Sequence, residues 1–380
     1  MDKKVCIISF SDLSRDIRVR KHIRAVKEIA NVTAVGLGPS KIQGVEDIIL
    51  DSSRRLSFLK KIISVLELSF GRELVYYWKR YKPIYEILKD KKFDLFIAND
   101  TITLPLVLRL ADKNNVRIIL DAHEYSPLEW ENKWYWRFTF QKLYNYICKN
   151  YLPKIDYIFT VCPEIANKYS HEFGIRPDVL MNVPDYTEVS FKPTSSNKIR
   201  LICHGGVSSG RNSEEMIKMV GFLDKRYEFH FMVMSSQRNY LNNLKRLASK
   251  IGHERIFFHN PVPPDEVITK ISEFDIGVYI LIPNSFNNKF ALPNKFFDFI
   301  MAGLCVAIGP SPEMARIVNQ YNCGIVSSDF SPESLADRLN SLTPVQIDSY
   351  KRNSLESAKV LKAESEWQKL INVVTNLLEE

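Results

Sequence analysis

The sequence predicts an α/β fold: two doubly wound parallel-sheet units facing each other across a cleft. Three observations carry this. Short apolar and β-branched runs alternate with longer amphipathic stretches, which signals parallel strands joined by helices. The alternation stops at DYTEVSFKPTSSN, residues 185–197, a polar stretch without apolar periodicity that reads as a linker, and then restarts. The length, 380 residues, suits two or three domains.

In the first half, VCIISF (5–10) reads as a strand and 17–29 as a helix, followed by the strand VTAVGLG (32–38). A long helical region over about 56–89 precedes the strand runs DLFIAND (94–100) and RIILDAHEY (117–125). An aromatic helical region then runs to about 151, followed by DYIFTVC (156–162) and VLMNVP (179–184). After the linker come IRLICHGG (199–206), a helix over 213–223, EFHFMVM (228–234) and a helix over 239–250. RIFFHNPV (255–262), IGVYIL (276–281), a helix over 294–302, CVAIGP (305–310) and a helical tail from 344 complete the chain. Ligands of open α/β sheets bind beyond the carboxyl ends of the strands.

Composition is ordinary for a globular protein, 45% hydrophobic and 25% charged. The first residues do not form a signal peptide and no run approaches a membrane span, so a cytoplasmic protein, soluble or peripheral, is expected. The six scattered cysteines lack CxxC or zinc spacing and read as buried reduced thiols. The net charge of +8 points to acidic partners. Part of that excess lies between Arg54 and Lys92, with eleven Lys or Arg against four Asp or Glu, interleaved with aromatics. This pattern suits an anionic membrane surface, or helices that simply cover the first sheet; nucleic acid is the weakest reading.

Four strand-end segments carry candidate chemistry. The turn from His204 to Asn212, HGGVSSGRN, places Gly205, Gly206 and Arg211 before a helix. Its amides, the helix N-terminus and the Arg211 fork suit a diphosphate, although an ordinary glycine-rich turn reads the same way. In ALPNKFFDFIMAG (291–303), Pro293 and Asn294 start a helix, Lys295 balances phosphate charge, and Asp298 suits a ribose diol; plain capping is the alternative. DAHEY (121–125) offers His123 for a sugar hydroxyl or phosphate, with Glu124 as a second contact or as the group that orients His123. The first turn, SFSDLSRDIRVRKH (9–22), lacks GxGxxG, which argues against a nicotinamide or flavin enzyme; Asp16 and Arg18 there are acceptor or phosphate candidates.

Taken in order with TVCPEIANKY (160–169), Asn182–Pro184 and LPNKFFDFIMAGLCVAIGPSPEM (292–314), these pieces resemble retaining glycosyltransferases of the GT-B fold, family 4. The resemblance is strongest to those for bacterial capsule, O-antigen and exopolysaccharide. It implies two Rossmann-like domains: an acceptor domain over 1–184 and a nucleotide-sugar donor domain over 198–359, with a helix at about 360–380 packing back on the first. It implies that Gly205, Gly206 and Arg211 hold the donor diphosphate and that Asp298 binds the ribose. The amides of Leu292 and Asn294 would serve phosphates and sugar, with Lys295 balancing charge, while Pro261 and Val262 flank the base. His123, Glu124 and Arg211 would form the catalytic set, with Asp16 and Arg18 toward the acceptor. The nucleotide-sugar is then a substrate; no cofactor is expected, and no DxD triad is present to bind a metal.

Two departures stand out. Phe290 occupies the place of the first glutamate of the family's paired motif, and Gly206 that of its usual arginine. A sugar-nucleotide epimerase on the same fold and a non-catalytic nucleotide-sugar binder are the competing readings.

Overall fold

A computed structural model of the chain describes residues 3–50, 72–112, 115–208, 210, 213–237, 239–251 and 254–379. These divide into two compact units. The first comprises Met1–Met181 with Ser285–Asn287 and Glu366–Glu380; the second comprises Asn182–Asn284 and Asn288–Ser365.

The first unit runs β1 (Lys4–Ile8), α1 (Ile17–Lys27), β2 (Asn31–Gly36), β3 (Glu46–Ile49), α2 (Glu73–Leu88), β4 (Leu95–Asn99) and α3 (Leu104–Ala111). It continues with β5 (Arg117–Ala122), α4 (Trp134–Phe138), α5 (Phe140–Tyr151), β6 (Tyr157–Thr160), α6 (Pro163–Phe173) and β7 (Asp178–Val179). Its sheet has the order β3-β2-β1-β4-β5-β6-β7, all parallel among the described residues. The central strands β1 and β4 are apolar except at their ends, Lys4 and Asn99, as expected for parallel strands covered on both faces.

The second unit runs β8 (Ile199–Gly206), α7 (Ser213–Met219), β9 (Tyr227–Met234), α8 (Tyr240–Ile251), β10 (Ile256–His259), α9 (Val267–Ile271) and β11 (Ile276–Tyr279). After it come α10 (Asn294–Met301), β12 (Cys305–Ile308), α11 (Pro312–Tyr321), β13 (Gly324–Val326), α12 (Pro332–Asn340) and α13 (Pro344–Ala358). Its order is β10-β9-β8-β11-β12-β13, again parallel. In both sheets the strand order reverses beside the first strand, between β1 and β4 and between β8 and β11, and such switch points form crevices.

The last helix, α14 (Ala363–Glu379), returns to the first sheet. Leu370 and Val374 are buried in one cluster with Val5, Ile7, Val19, Ile23 and Ile97, and Trp367, Ile371 and Leu378 pack against it. The segment 185–197, read from sequence as the linker, groups with the second unit. Thr194 N donates to Asp348 (2.8 Å), and the buried Lys351 reaches both Asp275 (3.0 Å) and Thr194 (3.4 Å). Arg352 lies 3.7 Å from the Phe191 ring centre. Polar side chains tie this stretch down, so apolar periodicity could not reveal it.

Other sequence boundaries shift. The strand read through Tyr125 ends at Ala122, which leaves His123 and Glu124 in the following loop. The run 179–184 contributes only the end of a two-residue strand, and β3 and β13 were not anticipated. The helical tail is two helices, broken between Ala358 and Ala363. Of the helical region read over 56–89, the described part is α2; residues 51–71 lie outside the described residues. All six cysteines are buried free thiols. No helix among the described residues is long and apolar enough to cross a membrane.

Candidate active site

At the first unit's switch point, the carboxyl ends of β1, β4 and β5 gather charged side chains around Asp121, which is buried at the end of β5. Arg18, on the first turn of α1, grips it with Nε donating to Oδ2 at 2.6 Å and Nη2 to Oδ1 at 2.5 Å, and also donates to the Leu180 carbonyl. His22, one turn further along α1, lies 3.5 Å from the same carboxylate. Burial alone would raise the Asp121 pKa, but Arg18 and the two histidines outweigh it and hold it well below the usual carboxylate range. Burial pulls His22 down to about 4, so it is neutral.

His123 follows the strand and meets two carboxylates: Nε2 is 3.1 Å from Asp121 and Nδ1 is 3.6 Å from Asp100. Asn99 Oδ1 lies 3.4 Å from Nε2. Burial works against its charge, yet Asp100 and Asp121 prevail and raise it to about 9. At neutral pH His123 is therefore an imidazolium, with both nitrogens as donors. Asp100 sits at φ 64° and ψ 147°, a backbone region that side chains other than glycine rarely occupy. Its amide donates to the Asp121 carbonyl (2.9 Å), which fixes this conformation beside His123.

The structure gives partners to the sequence candidates. The Arg18 guanidinium is buried against Asp121. His123 lies between Asp121 and Asp100, while Glu124 lies past the strand end and is exposed. Asp16 is the N-cap of α1, accepting from Val19 N (3.1 Å) and from Ser11 Oγ (2.6 Å), so its carboxylate serves the helix. Asp100 and Asn99 were missed, although DLFIAND placed both at a strand end, the signal that singled out His123.

In the second unit, β8 ends on Gly205 and Gly206. Gly205 has φ +87°, which only glycine adopts without strain. A side chain at Gly206 would meet open space. The Lys295 Cε lies 3.9 Å from where a Gly205 Cβ would stand, so the sequence-distant lysine and glycine turn share one place. Lys295 is buried on α10 with its ammonium 4.5 Å from the Tyr279 ring centre. Pro293 is the N-cap of α10, and the exposed Asn294 accepts from Asn182 Nδ2 (2.9 Å). Asp298, one turn into α10, lies 3.4 Å from His204 Nε2. Burial and the nearby Lys295 depress His204 to about 3, so it faces Asp298 as a neutral ring.

Gly205, Lys295 and Asp298 thus converge at the β8–β11 switch point, with the N-terminus of α10 beside them. Leu292 is half-buried just before that helix; Pro261 and Val262 lie in the loop after β10, which two strands, β9 and β8, separate from β11. Arg211 lies outside the described residues. His204 was quoted from sequence only as part of the turn; its contact with Asp298 depends on α10 crossing the end of β8.

No family model and no curated protein matches the chain. Solved structures do match, over nearly its full length. A glycosyltransferase from Rickettsia africae superposes with TM-score 0.72 at 12% identity, covering 100% of this chain and 99% of that one. Sucrose-phosphate synthase from Thermosynechococcus elongatus gives 0.71 at 12%, covering 99% of each chain. Anabaena HepE, in complex with UDP and glucose, gives 0.67 at 12%, covering 98% of this chain and 100% of that one. Together with the two switch-point sheets, these likenesses establish the GT-B fold: two Rossmann-like α/β domains.

Proposed function

We propose that the chain is a glycosyltransferase that moves a sugar from a nucleotide-sugar donor to a saccharide or lipid-linked saccharide acceptor in cell-surface polysaccharide synthesis. The observation that carries this is the convergence of Gly205, Lys295 and Asp298 at one strand end of the second unit. A left-handed glycine turn, a buried ammonium and a helix N-terminus suit a diphosphate, and a carboxylate one turn into that helix suits a ribose. HepE, on the same fold, is known in complex with UDP-glucose.

In the proposed reaction the bond from the anomeric carbon to the diphosphate breaks and the acceptor oxygen bonds to that carbon. The departing phosphate gains negative charge, which Lys295, the α10 amides and Arg211 stabilise. The acceptor proton passes to the leaving phosphate oxygen, giving front-side attack with retention, and the positive charges make a metal unnecessary. His123, as an imidazolium, donates to the donor sugar near the reacting carbon. The work is proposed to take place in the cytoplasm at a membrane, with the stretch between Arg54 and Lys92 toward anionic lipid.

The test is a thermal-shift and hydrolysis panel against UDP-, GDP-, ADP-, CMP- and dTDP-sugars without added metal. Stabilisation by one donor with slow hydrolysis is expected. At a donor concentration a hundred times Kd, the stabilisation is about 2.7 kcal/mol. Indifference to every nucleotide overturns the assignment.

A further inference from the structure

A cavity of about 480 Å³ opens on the first unit away from the site described above. Arg117 and Ile118 line it at the start of β5, Trp78 from α2, Arg109 and Asp112 at the end of α3, and Tyr151 at the end of α5. Lys154 and Asp156, between α5 and β6, complete its polar wall. The volume lies in the range of roughly 300–1,000 Å³ that small-molecule sites occupy. From Arg117 to His123, along β5 and one residue past it, is about 20 Å of extended chain. The cavity and the candidate active site therefore lie toward opposite ends of one strand, and the proposed chemistry does not use the cavity.

The wall is set in advance of any ligand. The Trp78 ring centre lies 4.4 Å from the Arg109 guanidinium, and Tyr77 and Tyr85 meet the ring edge-on at 5.5 and 6.1 Å. Arg109 also lies 4.8 Å from the Tyr85 ring centre, so aromatic rings hold its fork in place. Asp156 accepts from Ile118 N (2.7 Å) and from Arg117 Nη1 (2.8 Å), which ties three lining residues together. Groups fixed by their neighbours bind without the full cost of being ordered.

The charges select the class of ligand. Each cation of the wall already has a negative neighbour. Arg117 has Asp156, while Arg109 in the last turn of α3 and Lys154 just past α5 sit where helix carboxyl ends carry partial negative charge. Asp112, the C-cap of α3, adds a further carboxylate. A phosphate would meet Asp112 and Asp156, and a cation would meet Arg109, Arg117 and Lys154. A hydroxyl both donates and accepts, so a neutral polyol can use groups of either sign. The apolar face of a sugar ring suits the flat faces of Trp78 and Tyr151. We infer that this cavity is a second saccharide-binding site, which takes a short neutral glycan or a segment of a longer one. A glycan held there stays tethered to the unit that carries His123, which raises its effective concentration at the reacting end. That role rests on the transferase reading; the binding does not.

The experiment uses the full chain without a nucleotide-sugar, so its outcome is separate from that of the donor panel. Maltotriose, cellotriose, chitotriose and mannotriose are titrated in, with inorganic phosphate and putrescine as the charged probes. Saturation-transfer NMR and calorimetry are the readouts. At least one neutral trisaccharide is expected to bind, and the charged probes are expected to stay silent. Trp78→Leu and Asp112→Ala are each expected to weaken the trisaccharide about tenfold. His123→Asn is expected to leave its affinity unchanged. Asp112 is exposed, so its variant keeps the test open even where loss of Trp78 disturbs α2. Failure of every trisaccharide to bind overturns the inference. So does binding that Asp112→Ala leaves intact and His123→Asn abolishes, the result expected if the saccharide occupies the candidate active site instead. Binding of phosphate or putrescine in place of saccharide overturns the neutral class.

Discussion

Asp121 is the residue on which the first unit's chemistry turns. Its carboxylate is shared by Arg18, His22 and His123, and these respond to pH in opposite senses. His123 is raised from the usual 6.5 to about 9, so its contribution to stability is full below about pH 6.5 and is lost as pH rises through about 9. His22, His204 and His230 are depressed to about 4, 3 and 4, so the unfolded chain takes up their protons first as pH falls below 6.5. Stability then falls on the acid side, and Asp121, ionised in the fold, adds to that loss as pH drops further. Urea midpoints should therefore peak near pH 6.5, and His123→Asn should flatten the alkaline limb while leaving the acid limb in place. An alkaline limb unchanged in that variant would show that His123 is not the titrating group. From sequence, DAHEY marked His123 as a strand-end candidate. What charges it lies one strand away, at Asp100, and one residue pair away, at Asp121.

Among elements, the helix boundaries were the most legible in principle, because local chemistry writes them. α6 begins on Pro163 and closes on Gly174 at φ +67°, and α13 opens with a full capping box between Thr343 and Gln346. The LPN start of α10 was read from sequence because Pro and Asn precede an apolar run. Strand packing was not legible in this way. Gly277 in β11 looks like any small residue in IGVYIL, yet a Cβ there would overlap the ring of Phe299 on α10. The close approach of that helix to the sheet holds Lys295 and Asp298 at the glycine turn. Gly277→Ala is expected to cost about 1–3 kcal/mol by overpacking and to weaken donor binding as α10 shifts. Chemical denaturation and a donor titration on the same sample check both effects, and a fully stable variant with unchanged affinity would disconnect β11 packing from the site.

At the scale of the whole molecule, the chain's last helix belongs to its first unit. α14 buries Leu370 and Val374 against Val5, Ile7 and Val19, so residues more than three hundred positions apart share one core. Leu370→Ala should cost about 2–5 kcal/mol, read as a lowered urea midpoint. A cost near zero would mean that α14 is an ornament on the first unit rather than part of its core.

The sequence alone determined the α/β class, the two-unit organisation and the candidate strand-end turns. Those follow from local periodicity and from glycine and proline chemistry, which act over a few residues. Tertiary structure decided the partners. Arg18 paired with Asp121, Asp100 joined His123, Lys295 and Asp298 met the Gly205 turn, and the 185–197 stretch was tied to Lys351 and Asp348. Each of these pairings joins residues on different strands or helices, and the free energy of a buried charge is set by whichever group the fold brings beside it.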